Sequence, residues 1–329
     1  MNRAIELSPG HDSADLVSVI IPAHNASPYI KETLDSVFAQ THPPYRVIVV
    51  NDGSPDTPAL ERVLLPFVHR ITYIKQDNRG PSSARNTGLR AAKGDLVACL
   101  DADDIWEPTY LEEQTKFLRV HPECDLVYCN ARFFGDSVYA GKEYMEICPS
   151  EGEATAAAII SRRCHVLGSV TARREKLASI GYDESIRASE DFDCWVRFAA
   201  AGHKIGYHRK VLVHYRKHKA SASANHSFML EGNIHALTKR LALWPEDSEE
   251  VRLLLEAKAQ KVAELETIRG KMALRSRNFP AAIVHLQAAN RYYASAKLAI
   301  VIILLKLAPE LVAFAYELRS SLFRAYREV

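Results

Sequence analysis

The chain of 329 residues has a formal net charge of +2 and is long enough for two domains, or for one large domain with an extension. Its 47% apolar and 25% charged residues are typical of a globular protein, and the small net charge gives no general attraction to nucleic acid. The six cysteines show no C-x-x-C pair and no zinc-like spacing, so we expect reduced core thiols of a cytoplasmic protein. Residues 1–16 are polar and lack the apolar segment of a secretory signal, which predicts a flexible leader.

From residue 17 onward, short apolar runs alternate with helix-forming stretches, and this alternation predicts βαβ units in a mostly parallel α/β sheet. We expect strands at Val17–Pro22, Tyr45–Val50, Ile71–Lys75, Leu96–Leu100, Asp125–Asn130, Val166–Arg173, Ile205–Tyr207 and Val211–Tyr215. We expect helices at Tyr29–Gln40, Pro58–Val68, Pro81–Ala92, Pro108–His121, Ala154–Ser161 and Glu190–Ala201, and an irregular segment at Ala131–Gly152. The chain has neither G-x-G-x-x-G after the first strand nor G-x-x-x-x-G-K-[ST], which disfavours a dinucleotide enzyme and a P-loop NTPase.

Three carboxylates follow the fourth predicted strand: Asp101, Asp103 and Asp104. Side chains two residues apart leave a strand in the same direction, so Asp101 and Asp103 can converge where open α/β sheets bind ligands. Hard carboxylate oxygens suit Mg²⁺ or Mn²⁺. The alternative is an acidic turn in which Asp104 caps the helix near Pro108. These residues alone leave both interpretations open.

Strand signals stop at about residue 225, and the remainder is predicted to be helical. We expect helices at Phe228–Leu243, Ser248–Arg275, Pro280–Ala289, Leu298–Leu307 and Glu310–Tyr326. The stretch 270–289 is typical of a helical hairpin, and a single copy is too little for a repeat array.

The end of the chain, residues 294–329, combines an apolar helix with basic flanks. Leu298–Leu307 is too short to cross a bilayer core, which needs about 20 helical residues. The basic residues are Arg291, Lys297, Lys306, Arg319, Arg324 and Arg327. Such helices lie in a membrane interface or pack as a buried helix on the rest of the chain or on a second subunit of a homodimer. The sequence leaves these alternatives open.

Four segments, in this order and spacing, resemble the family 2 glycosyltransferases: VSVIIPAHNASPYIKETLDSVFAQT, VIVVNDGSPD, NRGPSSARNTGLRAAKGDLVACLDADD and ASEDFDCWVRFAAAGH. The resemblance covers residues 17–218. It implies an inverting enzyme of the GT-A fold that takes a sugar from a nucleotide-diphosphate donor. The catalytic GT-A domain would span residues 17–224, and residues 225–329 would be an all-α C-terminal extension.

The resemblance implies a nucleotide-sugar site along the strand ends. The loop through Pro22, Ala23 and Asn25 would hold the nucleoside, with His24 where many relatives have tyrosine. Asp52 would accept a hydrogen bond from the base. Further contacts to the nucleotide sugar would come from Gly80, Ala84, Arg85, Asn86, Asp101, Ala102 and Arg216. For Arg85 the alternative is a salt bridge to a carboxylate at a strand end.

Asp101-Ala102-Asp103 matches the DxD signature of the family. By that resemblance Asp103 would coordinate Mn²⁺ or Mg²⁺, Asp101 would bind the ribose or metal-bound water, and His218 would complete the metal shell. Glu190-Asp191 matches the ED-type motif. Asp191 would be the base that deprotonates the acceptor hydroxyl, and Glu190 would orient the acceptor or support Asp191. The alternative for this pair is an ordinary acidic helix start.

The resemblance therefore implies transfer of a single sugar from a UDP- or dTDP-type donor to a saccharide or lipid-linked acceptor. The family setting implies cell-surface polysaccharide assembly at the cytoplasmic face of a membrane, without a nucleic-acid partner. A nucleotidyltransferase of related fold would need a triphosphate loop rich in Gly, Arg and Lys, and the loop here reads PAHNASPYI. A non-catalytic scaffold with a vestigial transferase domain is disfavoured by the intact DAD and ED motifs.

Overall fold

The computed structural model describes residues 16–221 and 224–325, with side chains described as far as Leu318. The chain divides into two compact units, the first ending at Ala224 and the second beginning at Asn225. The leader predicted at residues 1–16 lies outside the described residues except for Leu16, and the side chains of Arg319, Arg324 and Arg327 also lie outside them.

The first unit is built on one mixed sheet. Its strands are β1 (Val17–Ala23), β2 (Arg46–Asp52), β3 (Thr72–Gln76), β4 (Leu96–Cys99), β5 (Ile105–Trp106), β6 (Leu126–Gly135), β7 (Val170–Arg173) and β8 (Ile205–Lys217). They follow the order β3-β2-β1-β4-β7-β6-β8-β5. The first four are parallel to one another, whereas β7 runs antiparallel to both β4 and β6, and β5 antiparallel to β8. The carboxyl ends of β1 to β4 therefore meet at one edge of the sheet.

The apolar runs of β1, β2 and β4 are almost entirely buried, as expected of parallel strands covered on both faces. The helices of this unit are α1 (Ile30–Phe38), α2 (Thr57–Leu64), α3 (Pro81–Ala91), α4 (Tyr110–Val120), α5 (Tyr144–Ile147), α6 (Ala156–Ile160), α7 (Arg174–Ile180) and α8 (Glu190–Ala200). Helix α3 packs on β1 and β2. A Cβ atom at Gly88 would come within 2.3 Å of Ile20 Cγ2, so this glycine permits the close approach of α3 to β1.

Several predicted boundaries were wrong in extent. The two short strands predicted near the end of this unit form one strand, β8, because pairing with β6 continues across an irregularity opposite Cys129–Ala131. The polar residues at 208–210 had interrupted the apolar pattern there. Strand β6 also runs to Gly135 and α5 follows, so part of the segment predicted to be irregular is ordered. Only the second half of the strand predicted at Val166–Arg173 forms a strand, which is β7.

The second unit, described from Asn225, is all-helical. Its helices are α9 (His226–Arg240), α10 (Glu249–Arg275), α11 (Phe279–Tyr293), α12 (Ala296–Leu307) and α13 (Pro309–Ala325). Helix α10 packs along α9 and α11, and α12 packs on α11 and α13. The core at the α10–α13 end contains Leu274, Ala282, Leu286, Ile302, Leu305 and Ala313. No described helix combines the length and the apolar character that crossing a membrane requires.

Candidate functional site

The turn after β4 holds three carboxylates close together. The Asp104 amide donates to the Asp101 carbonyl at 3.1 Å, and Thr33 of α1 donates its hydroxyl to the Ala102 carbonyl at 2.9 Å. The buried Asp104 carboxylate accepts the backbone N–H of Arg216 at 2.8 Å. Helix α4 begins later, at Tyr110, with another residue at its N-cap, so the interpretation of Asp104 as a helix cap was wrong.

Burial and the neighbouring negative charges make the ionised forms of Asp103 and Asp104 unfavourable. Desolvation is the main cause that raises the pKa of Asp103, followed by the charge of Asp101. The pKa of Asp104 lies well above its usual value, first because of burial and then because of the charges of Asp103 and Asp101. A cation bound nearby would stabilise the ionised form of these buried carboxylates.

His218 from the end of β8 lies beside Asp103. Its Nε2 is 2.9 Å from Asp103 Oδ2, and its ring packs on Tyr29 with the ring centroids 4.4 Å apart. The Nδ1 atom of His218 is buried and has no hydrogen-bond partner within the described part of the chain. The structure thus brings together the two side chains predicted to contact a metal directly, with Asp101 in the same turn.

These residues fit a divalent cation that binds together with a phosphate ligand. Residues 16–221 and 224–325 contain no group of three or more His, Cys, Asp or Glu side chains that could hold a metal ion. Mg²⁺ in phosphate-handling sites is commonly bound through one or two carboxylates plus substrate phosphates. Asp103, Asp101 and His218 offer oxygen and nitrogen atoms suited to Mn²⁺ or Mg²⁺ in such an incomplete protein shell.

Arg85 of α3 connects the turn after β4 to the start of α8. Its guanidinium donates to Asp101 Oδ1 at 2.6 Å and to Glu190 Oε1 at 2.5 Å, and only 6% of its side chain is exposed. The two carboxylates outweigh desolvation and raise the pKa of Arg85 above its usual value. The structure therefore shows the salt bridge considered as the alternative for Arg85, and a direct contact to the nucleotide sugar stays a prediction.

The ED motif occupies the first turn of α8. Ser189, the residue before it, has a left-handed backbone with φ 62°, a conformation that costs a non-glycine residue about 1–2 kcal/mol. Phe192 donates its amide to Asp191 Oδ1 at 2.7 Å. Burial raises the pKa of both Glu190 and Asp191, and in each case the charge of Arg85 acts in the opposite direction. Glu190 is held by Arg85, whereas Asp191 lines a cavity.

That cavity has a volume of about 330 Å³ and lies between the two acidic motifs. Its walls include Asp101, Asp104, Asp191 and Lys217, together with the aromatic side chains of Phe133, Tyr139, Tyr144 and Tyr215. Gly168 also lines it, and a Cβ atom there would lie 3.7 Å from Asp191 Oδ2 and 3.8 Å from Asp101 Oδ2. The carboxylates of Asp101 and Asp191 thus face the same space on either side of this glycine.

The loops after β1, β2 and β3 form a connected polar edge. Asp52 accepts the backbone N–H groups of Arg79 at 2.9 Å and of Gly80 at 2.8 Å, together with the Gln76 side-chain amide at 2.8 Å. Gly80 has φ 89°, a conformation that favours glycine, and the next residue begins α3. His24 Nδ1 lies 3.1 Å from the Asp52 carbonyl oxygen. Asp52 therefore shapes the loop in which a nucleotide was predicted.

The remaining predicted nucleotide-sugar residues lie around this edge. Pro22 and Ala23 end β1 beside β2, and the Asn25 amide donates to Ser54 Oγ at 2.7 Å. Ala84 is fully buried in α3. The Asn86 side chain donates to the Tyr182 carbonyl and accepts the Tyr182 amide, each at 2.8 Å.

The Arg216 side chain, on β8, contacts a backbone carbonyl of the turn after β4. Its Nε donates to the Asp103 carbonyl at 2.7 Å, and its Nη2 donates to Glu32 Oε2 at 2.6 Å. The structure thus gives Arg216 a position beside the predicted metal residues. Its contact to a bound nucleotide sugar stays a prediction.

Sequence reasoning missed Tyr215 and Lys217 as cavity residues. Lys217 Nζ donates to Tyr215 Oη at 2.9 Å, and burial lowers the pKa of Lys217. Because β8 continues to Lys217, strand alternation places residues 215 and 217 on one face. The predicted strand ended two residues too early to use that signal. The aromatic residues of 133–144 gave no periodic signal.

The sequence is similar to those of known glycosyltransferases. The family profile described as "Glycosyl transferase family 2" matches residues 18–178. An uncharacterized glycosyltransferase of Rickettsia prowazekii (strain Madrid E) is 30% identical over 216 residues, covering 63% of this chain and 66% of the relative. The glycosyltransferase GlyA of Streptococcus pneumoniae is 38% identical over 124 residues, covering 37% of this chain and 18% of the relative. The chain thus spans about a fifth to two thirds of the length of these two relatives.

Solved structures share the fold at lower identity. S. aureus TarS 1–349 in complex with UDP-GlcNAc has a TM-score of 0.59 at 19% identity, covering 92% of this chain and 91% of that chain. The mannosyltransferase PcManGT from Pyrobaculum calidifontis, in complex with GDP-Man and Mn²⁺, has a TM-score of 0.60 at 22% identity, covering 98% and 85%. These likenesses confirm the predicted α/β fold of GT-A type with a helical C-terminal region. The family match and the related glycosyltransferase sequences together show that this chain belongs to the family 2 glycosyltransferases.

Proposed function

We propose that this chain is a metal-dependent inverting glycosyltransferase that moves one sugar from a UDP- or dTDP-type donor to a saccharide or lipid-linked acceptor. The observation that carries the proposal is the cavity with Asp101 and Asp191 in its walls, beside the pair of Asp103 and His218. Arg85 joins the two acidic motifs across this site. Family membership supplies the reaction class.

The proposed reaction needs one base and one leaving group. Asp191 would take the proton of the acceptor hydroxyl, whose oxygen attacks C1 of the donor sugar as the bond from C1 to the phosphate oxygen breaks, with inversion. Glu190 is less suited as the base because its carboxylate is engaged by Arg85. A divalent cation at Asp103, with Asp101 and His218, would stabilise the negative charge that develops on the departing diphosphate.

The sugar donor would bind along the loops after β1, β2 and β3. Gly80 and the first amides of α3 can approach the nucleotide closely, and a helix start favours an anionic ligand. Asp52, at the end of β2, would accept the imide of a uracil or thymine base. The complexes of TarS with UDP-GlcNAc and of PcManGT with GDP-Man and Mn²⁺ support a nucleotide-sugar donor and a divalent cation.

We further propose a peripheral position on the cytoplasmic face of a membrane, in cell-surface polysaccharide assembly. Helices α12 and α13 expose the large apolar side chains of Ile300, Val301, Ile303, Leu304, Leu307, Leu311, Phe314 and Leu318, which we call the α12–α13 face. Exposed apolar surface of this kind marks an interaction site. The family setting, a polysaccharide built on lipid-linked acceptors, favours a membrane.

Charge favours an anionic lipid surface as the partner of the α12–α13 face. Arg291, Lys297 and Lys306 are exposed on and near these helices, whereas Glu310 and Glu317 both pair with Arg277. Apolar faces with basic flanks bind anionic interfaces. Two copies of this face in a homodimer would bring these basic residues together, so self-association is the less favoured alternative.

Calorimetric titration of the full chain with UDP, dTDP, GDP and CMP, with and without Mn²⁺, tests the donor site. We expect Mn²⁺-dependent binding of UDP or dTDP, and strongly reduced Mn²⁺ dependence in Asp103→Asn. Incubation with the matching sugar nucleotides, followed by mass spectrometry, then identifies the sugar that is transferred. A folded protein that binds none of the four nucleotides would contradict the proposal and favour the non-catalytic scaffold.

A further inference from the structure

The cavity beside Asp191 has walls of two different chemical kinds. Three carboxylates line it, from Asp101, Asp104 and Asp191, and four aromatic rings line it as well. The rings gather around Phe133, whose centroid lies 5.8 Å from those of Tyr139 and Tyr144 and 5.5 Å from that of Tyr215. We call these four rings the aromatic wall. Its residues belong to β6, α5, the segment between them and β8.

The segment that carries the aromatic wall is held in place by specific hydrogen bonds. The Phe133 amide donates to the Lys142 carbonyl at 3.0 Å, and the Gly141 amide donates to the Phe133 carbonyl at 2.8 Å. Asn130 donates its side-chain amide to Glu143 Oε2 at 2.7 Å and accepts the amide of Met145 at 3.0 Å. These hydrogen bonds therefore fix the backbone that carries the aromatic wall. Tyr139, which is 41% exposed, is the most accessible of its four rings.

The charges of the lining select the kind of ligand that fits. Lys217 is the one cationic side chain among the lining residues, all of which are described, and it faces three carboxylates. If Asp101 is assigned to the sugar donor and its cation, the carboxyl groups of Asp104 and Asp191 still outnumber Lys217. A phosphate group would find a single lysine to pair with there, and a hydrocarbon chain would bury these polar groups without hydrogen bonds. A neutral polyhydroxyl ring satisfies both walls.

We propose that the aromatic wall is the subsite for the acceptor, and that the reacting end of the acceptor is a neutral sugar ring. The ring packs one apolar C–H face on Tyr139 and Tyr144, and its hydroxyl groups reach Asp191 and Lys217. A volume of about 330 Å³ is at the lower end of the range for small-ligand pockets and suits one or two sugar rings. This inference rests on the proposed function, since it names the substrate that Asp191 deprotonates.

Binding of simple sugars tests the subsite without knowledge of the natural acceptor. Saturation-transfer NMR is recorded for the full chain with a panel of methyl pyranosides, the corresponding sugar phosphates and a short-chain polyprenyl phosphate. Mn²⁺ and whichever nucleotide binds in the calorimetric titration are present throughout. We expect binding of at least one neutral pyranoside through its C–H face, weaker binding of its phosphate, and competition between the pyranosides. Preference for the sugar phosphate or for the polyprenyl phosphate would overturn the inference.

Two substitutions separate an aromatic contact from a general loss of structure. Tyr139→Ala should weaken the affinity of the bound pyranoside roughly fivefold to tenfold, as expected for removal of an aromatic contact, and Tyr139→Phe should restore most of it. The control is Tyr45→Ala, because Tyr45 is 47% exposed and precedes β2, at the opposite edge of the sheet from the site. Equal affinity in wild type and Tyr139→Ala would overturn the assignment of the wall.

The same experiment distinguishes failure of the inference from failure of the proposed function. A protein that binds no nucleotide in the calorimetric titration fails as a glycosyltransferase. A protein that binds its nucleotide with Mn²⁺ but binds no pyranoside keeps the proposed function, and the neutral-sugar subsite is then wrong.

Discussion

The cavity of the first unit and the α12–α13 face of the second unit depart from ordinary burial in opposite ways. The cavity removes carboxylates from water: Asp104 is only 3% exposed, and burial raises its pKa well above the usual value. The α12–α13 face does the reverse, because Leu307 is 76% exposed and Leu311 71%. Each arrangement costs free energy that an ordinary core or surface would not.

In both regions, neighbouring residues in the fold offset this unfavourable free energy. Beside the cavity, Arg85 pairs with Asp101 and Glu190 and so stabilises their negative charges in the folded protein. In the helical unit, Ile302 and Leu305 on the inner side of α12 are buried in a core, so the outer side is free to stay apolar. Locally unfavourable arrangements that neighbouring residues stabilise in this way are expected at functional sites.

The largest expected effect is at the base. Asp191→Asn should lower the transfer rate by roughly 10²–10⁴-fold, the usual contribution of general acid–base catalysis, while binding of the nucleotide with Mn²⁺ stays within about twofold of wild type. Asp95→Asn, an exposed carboxylate at the other end of β4, is the matched control and should be silent. Loss of both transfer and nucleotide binding in Asp191→Asn would assign Asp191 to the donor site instead.

The pH profile of the wild-type enzyme sharpens this test. A base works only when it is ionised, and burial raises the pKa of Asp191 above its usual value of 3.8. The transfer rate should therefore fall as the pH drops through that raised value, and the fall should begin at a higher pH than for an exposed aspartate. An acidic limb at or below about pH 3.8 would contradict Asp191 as a buried base.

The sequence predicted the parts of the site that depend on local pattern. Asp101 and Asp103 could be proposed because they follow the end of an apolar strand, whereas Asp191 was proposed only from the resemblance of the ED motif to the family. The partners of these residues could not be found in that way. Glu190 meets Arg85 across a separation of 105 residues, and Asp103 meets His218 across 115 residues, so only the folded sheet brings them together.

The aromatic wall escaped prediction for a different physical reason. Between Phe133 and Tyr144 the chain is shaped by single hydrogen bonds and turns, such as Gly141 to Phe133, and such contacts leave no repeating pattern of apolar residues. Lys217 was overlooked because the strand predicted at Val211–Tyr215 ended two residues before the end of β8. The first four strands and their mostly parallel arrangement could be predicted from the sequence; the aromatic wall could not.

The next prediction concerns the stability of the residues beside the cavity. Arg85→Met removes the cation between two carboxylates, one of them largely buried, and should lower the free energy of unfolding by about 3–5 kcal/mol, measured by urea denaturation. Adding Glu190→Gln should recover part of that loss, because one of the stranded charges is then removed. Arg79→Ala, which breaks the exposed pair with Glu184, is the contrasting control and should cost at most about 1 kcal/mol.

Unchanged unfolding free energy in Arg85→Met would mean that the two carboxylates take up protons or water without cost. The comparison between the cavity and the α12–α13 face would then fail on the cavity side, because the acidic motifs would need no support. Equal losses in Arg85→Met and Arg79→Ala would point to the same conclusion.

The smallest expected effect on stability belongs to the outer side of α12. Leu305→Ala, inside the core, should lower the free energy of unfolding by about 2–5 kcal/mol, whereas Leu307→Ser, on the same helix, should change it by no more than about 0.5 kcal/mol.

The same outer side should control membrane binding. Combining Leu307→Ser with Ile303→Ser and Leu311→Ser should abolish sedimentation of the full chain with anionic vesicles, because the three changes remove apolar area that would enter the interface. Matched zwitterionic vesicles should bind wild type more weakly, since Lys297 and Lys306 then lack a charged partner. A triple variant that still sediments, but no longer forms a dimer in analytical ultracentrifugation, would show that a second copy covers the α12–α13 face.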